Sequence, residues 1–336
     1  MDAGGSTSLV RRSFAAHSHP PMTDSNTTRP PRLPRREVHG VLLLDKPLGL
    51  SSNDALVRAK RLLRALKAGH TGTLDPLASG LLPLCFGEAT KFSQDLLEAD
   101  KTYEAVVRLG ARSTTGDAEG DLIDERAVTC DREHIEQVLT RFRGEIEQVP
   151  PMYSALKKDG RPLYEYARAG QTVERAARRV TILAISMLDC ALPQAPTFTM
   201  RVTCSKGTYI RTLAEDIGEA LGCGAHLTAL RRTAVGDLAL DGAVTLEQIE
   251  QQDDALRPGM LAPVDALLRK CPPVQLDEAA AARFLQGQRI ARRDLPAEAE
   301  LAEETLARVY AGDPARLLGV GRMREGALRP ERLVRM

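Results

Sequence analysis

The sequence contains no tryptophan and few other aromatic residues, with six tyrosines and six phenylalanines among 336 residues. Its six cysteines include no Cys-x-x-Cys pair, which argues against a zinc cage and against the disulfide framework of a secreted protein. No apolar stretch approaches the roughly 18 residues that a membrane-spanning helix needs. No Gly-x-x-x-x-Gly-Lys-[Ser/Thr] run occurs, so an NTP-driven role has no support. These absences predict a soluble, cytoplasmic protein with reduced thiols and no membrane partner.

The net charge is also small. At +1 it gives weak support for nucleic-acid binding, because Lys and Arg supply the contacts to phosphate. The charge is unevenly distributed, however, and residues 141–179 hold nine basic and five acidic side chains. Such a run is also typical of a solvated helix and loop surface. It becomes a candidate RNA-contacting insertion only where other features point to RNA.

The length and composition predict a main domain with a smaller one attached, since 336 residues exceed the usual single-domain range. Residues 1–36 are rich in Ser, Thr, Pro and Arg and lack apolar periodicity, which predicts a disordered arm. A start of translation at Met22 stays open as an alternative. We interpret the Pro-rich, acidic stretch at 251–273 as a linker. The segment that follows it, up to Met336, has the pattern of short strands separated by glycine turns.

The apolar spacing predicts an α+β fold with a mixed sheet rather than a regular βαβ repeat. In the strand at 102–109, alternate residues from Tyr103 to Leu109 share one face, so Tyr103 begins an inward row. The other predicted elements are a strand at 38–44, a helix from Ser51/Ser52 that Gly69 ends, a helix at 131–142, strands near 180–189 and 197–204, and a helix from about Thr208 that ends at 222–224.

A single carboxylate, Asp75, stands on a glycine-rich loop with no other acid beside it. Residues 69–76 read Gly-His-Thr-Gly-Thr-Leu-Asp-Pro, and Gly80 follows shortly after. Glycine permits positive φ and close backbone approach, while Pro76 biases Asp75 away from the helical region. The backbone geometry is therefore restricted on both sides of the carboxylate. This pattern fits a displayed reactive group, and it also fits an ordinary Asp-Pro turn.

The run at 69–76 resembles the catalytic motif of the TruB family, the bacterial tRNA pseudouridine-55 synthases. Four such motifs in the family's order are hard to obtain by chance, and the resemblance extends from about residue 38 to the C-terminus. The other three are Gly-Val-Leu-Leu-Leu-Asp-Lys-Pro at 40–47, Lys-Thr-Tyr at 101–103 with Arg-Leu-Gly at 108–110, and Cys-Ser-Lys-Gly-Thr-Tyr-Ile-Arg-Thr at 204–212.

The resemblance implies an isomerase that converts uridine 55 in the T-arm loop of tRNA to pseudouridine after flipping the base. Asp75 would be the nucleophile, attacking either the ribose C1′ or the base, and both routes stay open. Arg211 would pair with Asp75 and keep it ionised and aimed, because burial otherwise raises the pKa of a carboxyl group. Tyr103 is similar to the family's stacking tyrosine and candidate proton acceptor.

The same resemblance implies the contacts to the flipped nucleotide. Tyr103 and Tyr209 would contact the base, His70 would engage the flipped nucleotides, and the backbone of Leu230 would contact the uracil. Two of only twelve aromatic residues fall at these positions. By pattern alone, both tyrosines fit equally well as core residues with satisfied hydroxyl groups.

For the architecture, the resemblance implies a mixed-sheet pseudouridine synthase catalytic domain at 37–255 with an RNA-contacting insertion at about 141–179. A small β-rich, PUA-like RNA-binding domain would follow at 272–336. The isomerisation needs a nucleophile and proton handling but no redox step, so we expect no metal and no cofactor. The implied partner is the T-arm stem-loop of tRNA. We expect a monomer that works without a guide RNA, because the 141–179 segment resembles the insertion of stand-alone bacterial members.

Two other functions were weighed. His134-Ile135-Glu136 has the His-x-Glu form of zinc nucleobase deaminases, but the Pro-Cys-x-x-Cys partner motif is absent. An amphipathic helix explains that segment better. The second alternative is a non-catalytic tRNA-binding or RNA-chaperone protein, which would need the basic surface but not Asp75.

Overall fold

The computed structural model describes residue 1 and residues 34–335. Most of the predicted disordered arm therefore lies outside the described residues. Its proposed end at residue 36 is wrong, because Arg36 is part of the folded structure. The backbone N–H of Arg36 donates to Arg64 O at 2.8 Å, and its guanidinium donates to Leu63 O at 3.1 Å and to Asp254 O at 2.7 Å.

The described residues up to Ala239 contain one large sheet of nine strands and two small sheets of two strands each, thirteen strands in all. These strands are β1 (Gly40–Lys46), β2 (Ala68–His70), β3 (Ala78–Phe86), β4 (Lys101–Leu109), β5 (Arg112–Ser113), β6 (Leu122–Ile123), β7 (Gly144–Gln148), β8 (Lys157–Lys158), β9 (Arg161–Pro162), β10 (Arg178–Cys190), β11 (Thr197–Cys204), β12 (Ala225–Val235) and β13 (Leu238–Ala239). The order across the sheet is β1-β3-β12-β4-β11-β10-β7, with β2 beside β3 and β13 beside β12.

Six α-helices accompany this region of the described chain, and the longer ones lie against the sheet. They are α1 (Ser52–Leu62), α2 (Ser93–Glu98), α3 (Arg132–Arg141), α4 (Leu163–Arg168), α5 (Ile210–Ala220) and α6 (Leu246–Gln251). Helix α5 packs on β12 and β4, and α3 packs on β10 and on α5. The predicted inward row of β4 is confirmed, since Tyr103, Ala105, Val107 and Leu109 are all buried. The α+β fold is likewise confirmed.

The structure corrects the sequence-based elements around the glycine-rich loop. Helix α1 ends at Leu62 rather than at Gly69, because Arg64 adopts a left-handed conformation with φ of 52°. Gly69 instead lies in β2, which pairs antiparallel with β3. Strand β3 was not predicted at all, although it is central and almost wholly buried. Helix α5 begins at Ile210, two residues later than expected.

Gly80 allows β3 to lie close to β12. Among the described strands of this sheet, β3 and β12 form the one parallel pair. Leu230, Arg231 and Arg232 of β12 pair with residues 78–80 of β3. Gly80 has φ of 97°, and a Cβ added there would lie 2.3 Å from Arg232 O. No side chain other than hydrogen fits at that distance. This close approach brings the loop before β3 beside the inward residues of β12.

The C-terminal part of the described chain forms a second sheet of five strands with its own apolar core. Its elements are β14 (Pro273–Leu276), α7 (Glu278–Leu285), β15 (Ile290–Ala291), β16 (Leu306–Ala311), β17 (Arg316–Arg324) and β18 (Ala327–Leu333), in the sheet order β14-β16-β17-β18-β15. No helix in the described part of the chain is long and apolar enough to cross a membrane.

The interpretation of residues 251–273 as a linker is wrong, because this stretch is folded and partly buried. This stretch forms short 3-10 helices at Arg257–Met260 and Val264–Leu268. Val264 and Leu268 are buried in a cluster that contains Phe92 from the first sheet region and Val320 from the second. The stretch therefore joins the two sheets through a shared apolar core, because Val264 and Leu268 turn inward, although Leu256 is exposed.

The Gly80 contact leads to a stability test. We expect Gly80→Ala to lower the free energy of unfolding by roughly 2–5 kcal/mol, because the new methyl group collides with backbone as well as straining φ. Gly222 is the matched control, since it has φ of 81° with nothing within 4 Å of its would-be Cβ. Gly222→Ala should cost about 1–2 kcal/mol from backbone strain alone. Urea unfolding of both variants measures the difference, and equal losses would contradict the packing argument.

Candidate active site

A cavity of about 360 Å³ opens beside the loop that carries Asp75. Its wall is assembled from parts of the chain that are distant in sequence, among them the 72–75 loop, β4, residues 154–156 of the 141–179 segment, β12, and the N-terminal end of α5 with the turn before it. All the predicted site residues except His70 line it. The lining residues relevant to chemistry are Asp75, Tyr103, Tyr209, Arg211, Leu230 and Arg232.

The Asp75 loop is fixed by its backbone. The buried side chain of Ser52 accepts from Leu74 N–H at 2.7 Å and donates to Leu74 O at 3.1 Å. After Asp75, the Ala78 N–H donates to Asp75 O at 3.0 Å as β3 begins. The Asp75 carboxylate itself is 42% exposed. The expectation of a buried carboxylate is therefore wrong, and the group faces the open cavity.

Arg211 is the buried partner of Asp75. Its side chain is 6% exposed, and its Nη2 lies 2.9 Å from Asp75 Oδ2. The guanidinium also donates to Thr115 O at 2.9 Å and to Tyr153 O at 2.7 Å. Arg211 lies in the first turn of α5, near the helix end where the sequence placed it. From this position its side chain reaches the Asp75 carboxylate. The fourth contact of Arg211 is a second carboxylate.

That carboxylate, Asp117, was missed by the sequence analysis. Its side chain is only 3% exposed, and its Oδ2 lies 3.5 Å from Arg211 Nη1. Its Oδ1 accepts from the Thr115 hydroxyl at 2.6 Å and from Glu119 N–H at 3.1 Å. A signal existed, since Asp117 follows Gly116 in a short polar turn, much as Asp75 stands among glycines. Arg211 is thus held between one buried and one half-exposed carboxylate.

The apolar walls of the cavity come from neighbouring strands. Leu230 of β12 lies between Ala78 of β3 and Ala105 of β4 in the sheet register. Tyr103 is 9% exposed, and burial raises the pKa of its hydroxyl. Tyr209, the residue before α5, supplies another wall. The structure therefore brings the predicted aromatic residues to the same space as Asp75.

Two further cations are buried close to the cavity. Arg232 is 1% exposed, donates from Nε to Leu81 O at 2.8 Å and points another nitrogen at Gly72 O, 3.4 Å away. Lys46 donates to two backbone carbonyls, and burial lowers its pKa to about 8. Arg232 follows Leu230 by two residues on a strand, so period-two alternation could have placed it in the same wall. A positively charged wall favours anionic substrates.

His70 lies at a second cavity of about 450 Å³ on the other side of Asp75. Tyr164 and Arg168 from the 141–179 segment also line this space. Burial and the nearby Arg232 lower the pKa of His70, which favours the neutral ring at pH 7. The Nδ1 of His70 is buried without a hydrogen-bond partner among the described residues.

The deaminase alternative lacks a ligand set in the part of the chain that the structure describes. No group of three or more His, Cys, Asp or Glu residues there could hold a metal ion. His134 lies in the first turn of α3, where its N–H donates to the capping residue Asp131 at 2.9 Å. Its neighbour Ile135 is buried in the core. The capped, amphipathic helix α3 therefore accounts for both His134 and Ile135.

Comparison with known proteins identifies the family and the fold. Three family models match consecutive parts of the chain: TruB family pseudouridylate synthase (N terminal domain) at 60–210, tRNA pseudouridylate synthase B C-terminal domain at 211–269, and Pseudouridine synthase II TruB, C-terminal, at 272–334. The tRNA pseudouridine synthase B of Cupriavidus taiwanensis is 85% identical over 315 residues, covering 94% of this chain and 100% of the relative. That of Burkholderia pseudomallei is 68% identical over 304 residues, covering 90% and 96%.

Solved structures agree with this result. A Cbf5-Nop10-Gar1 complex matches with a TM-score of 0.64 and 27% identity, covering 92% of each chain. An H/ACA RNP bound to a substrate RNA containing 2'-deoxyuridine matches with a TM-score of 0.65 and 26% identity, covering 89% of this chain and 86% of the other. The fold is that of a pseudouridine synthase. Within that class, the chain belongs to the TruB family.

The buried pair of Arg211 and Asp117 leads to a second stability test. We expect Asp117→Asn to lower the free energy of unfolding by roughly 2–4 kcal/mol, because a buried guanidinium loses its buried counter-charge. The control is Glu250→Gln, which removes an exposed ion pair with Arg58. That change should cost no more than about 1 kcal/mol. Urea unfolding compares them, and a small loss for both would mean that Asp75 alone balances Arg211.

Proposed function

We propose that this chain isomerises uridine 55 in the T-arm loop of tRNA to pseudouridine. The observation that carries the proposal is the Asp75 carboxylate, 2.9 Å from a buried guanidinium and facing a cavity walled by Tyr103, Tyr209 and Leu230. The chain is an intramolecular isomerase that acts on tRNA. The name of its relatives, tRNA pseudouridine synthase B, supports the same substrate.

The reaction breaks the bond from ribose C1′ to uracil N1, turns the base, and joins C1′ to C5, whose hydrogen is lost as N1 regains one. Substrate and product have the same composition, so no oxidant or reductant takes part. Asp75 acts as the nucleophile, at the ribose C1′ or at the base. Arg211 orients that carboxylate and stabilises its negative charge, because the guanidinium is itself fixed by Asp117 and two carbonyls.

The walls hold the base while it turns. Tyr103 presents a flat face for stacking, and its hydroxyl can accept the proton from C5 as its own phenolic proton passes on toward N1. Tyr209 closes the opposite side, and the backbone of Leu230 contacts the uracil edge. His70, beside the second cavity, engages the nucleotides that leave the loop together with the target. A paired or stacked base could not reach Asp75, so the target nucleotide must be flipped out of the tRNA loop.

Two other regions are assigned to RNA contact in this proposal. The 141–179 insertion closes over the T-arm, and the domain at 272–336 adds a second, PUA-like RNA contact. Tyr164 and Arg168 support the first assignment, since they reach from the insertion to the cavity beside Asp75. The chain acts in the cytoplasm as a monomer without a guide RNA, whereas the structural neighbours named above are parts of larger assemblies.

The role of Asp75 separates a synthase from a non-catalytic RNA-binding protein. We expect Asp75→Asn to keep the fold and tRNA affinity and to abolish turnover, because an amide is a poor nucleophile. Asp237→Asn is the control, since Asp237 is a half-exposed carboxylate paired with Lys270 outside the cavity. Mass-spectrometric detection of pseudouridine in the T-arm measures turnover, in buffer with EDTA. Retained turnover in Asp75→Asn would remove Asp75 from catalysis, and loss of wild-type turnover to EDTA would contradict a metal-free reaction.

Salt dependence tests the RNA path over the insertion. Affinity for tRNA should fall with salt with a slope of about −0.7 to −0.9 per neutralised phosphate. Lys157 and Lys158 are both exposed on β8. We expect the double change Lys157→Ala with Lys158→Ala to flatten the slope by up to about two units. The control removes equal charge from exposed sites outside the insertion, Arg61→Ala with Lys67→Ala. Equal slopes for the two double variants would place the RNA path elsewhere.

A further inference from the structure

The turn that delivers Tyr209 and Arg211 to the cavity has no capping side chain of its own. Tyr209 is the residue before α5, and its side chain makes no hydrogen bond to the helix backbone. Most helices are capped by a Ser, Thr, Asp or Asn at this position, which fixes the first turn. Here the side chain at the cap position instead forms a wall of the cavity. The backbone of this turn therefore has to be held from outside the helix.

Gln148, the last residue of β7, fixes the backbone of this turn. Its Oε1 accepts from Tyr209 N–H at 2.7 Å, and its Nε2 donates to Tyr209 O at 3.1 Å. The side-chain amide thus bonds to both polar groups of one residue and closes a ring with its backbone. Gln148 is only 1% exposed, so neither bond competes with bulk water. Because one partner is a donor and the other an acceptor, the two contacts determine which end of the side-chain amide is the oxygen.

The strand partner of Gln148 contacts the same turn. Arg178 of β10 pairs with Gln148 in the sheet register. Its guanidinium donates to Gly207 O and lies over the Tyr209 ring, with Cζ 5.0 Å from the ring centroid. One cross-strand pair therefore holds the turn at its backbone and at its aromatic ring. These residues also stand at the two ends of the segment that forms most of the RNA-contacting insertion.

We propose that Gln148 is a positioning residue that sets the place of Tyr209 and Arg211 relative to Asp75. It touches neither the cavity nor Asp75, and it acts through the backbone of the Tyr209 turn. Loss of the amide leaves a buried N–H unpaired and lets the first turn of α5 shift. A shift of about 1 Å at a reacting centre can cost about 100-fold in rate. This inference rests on the proposed function.

The test uses the full-length protein and T-arm RNA. Gln148→Met removes both hydrogen bonds at nearly constant volume, and Gln148→Glu keeps the acceptor for Tyr209 N–H but loses the donor. The matched control is Gln248→Met. Gln248 Oε1 likewise accepts a backbone N–H at a helix N-terminus, that of Thr245 before α6, outside the cavity. Single-turnover rate, RNA dissociation constant and thermal unfolding are measured for each protein.

We expect Gln148→Met to slow the single-turnover rate by about 10- to 100-fold while the dissociation constant changes by less than about threefold. Gln148→Glu should lie between it and the wild type, and Gln248→Met should turn over at the wild-type rate. The effect of Gln148→Met should also shrink in an Arg211→Lys background, because changes that act through one group are not additive.

The inference is overturned if Gln148→Met turns over at the wild-type rate, or if Gln148→Met and Gln248→Met lose rate equally. It is also overturned if the effects of Gln148→Met and Arg211→Lys multiply without coupling. Should Gln148→Met fail to fold, Gln148→Glu decides, since an unslowed Gln148→Glu contradicts the need for both bonds. Wild-type protein that forms no pseudouridine would refute the proposed function itself, and this outcome is distinct from an active wild type with an unaffected Gln148→Met.

Discussion

The Arg211 guanidinium gathers four segments of the chain at one point. Asp75, Tyr153 and the turn that holds Thr115 and Asp117 offer oxygens to it, and together with α5, which carries Arg211, they are four segments distant in sequence. Removing a guanidinium from water is costly unless its charge and its N–H groups are matched. The chain matches them with two carboxylates and two carbonyls. The geometry of the cavity therefore depends on this cation being satisfied.

The two carboxylates around Arg211 have different surroundings. Asp117 is enclosed and has two further hydrogen bonds, so its position is determined by the protein alone. Asp75 is 42% exposed and faces the cavity. One carboxylate can thus remain the permanent counter-charge while the other changes its bonding during a reaction. If Asp75 forms a covalent bond and loses its charge, Arg211 still has Asp117 beside it.

Local patterns in the sequence were enough to identify the family motifs, the inward row of β4 and the α+β class. They failed where structure depends on distant partners. Strand β3 contains Gly80 and Pro83, residues that usually interrupt strands, and its pairing with β12 at Gly80 and with β1 at Pro83 compensates for them. Asp117 had a local signal in its polar turn, but its contact with Arg211 and the role of Gln148 could not be deduced, since each residue contacts a partner roughly 60 to 100 positions away. The prolines and acids of 251–273 suggested a linker, although ten of its 23 residues are apolar and part of them are buried.

The cross-strand pair of Arg178 and Gln148 has a consequence for how this family can diversify. Both ends of the intervening segment are fixed in adjacent strands, so the distance between them does not depend on what lies between. Loop-closure entropy grows only slowly with length, which makes insertions and deletions in such a segment thermodynamically mild. The segment between Gln148 and Arg178 can therefore change in length and sequence without moving the two strands that hold its ends. Its surface can change while the sheet, the cavity and the guanidinium cluster stay unchanged.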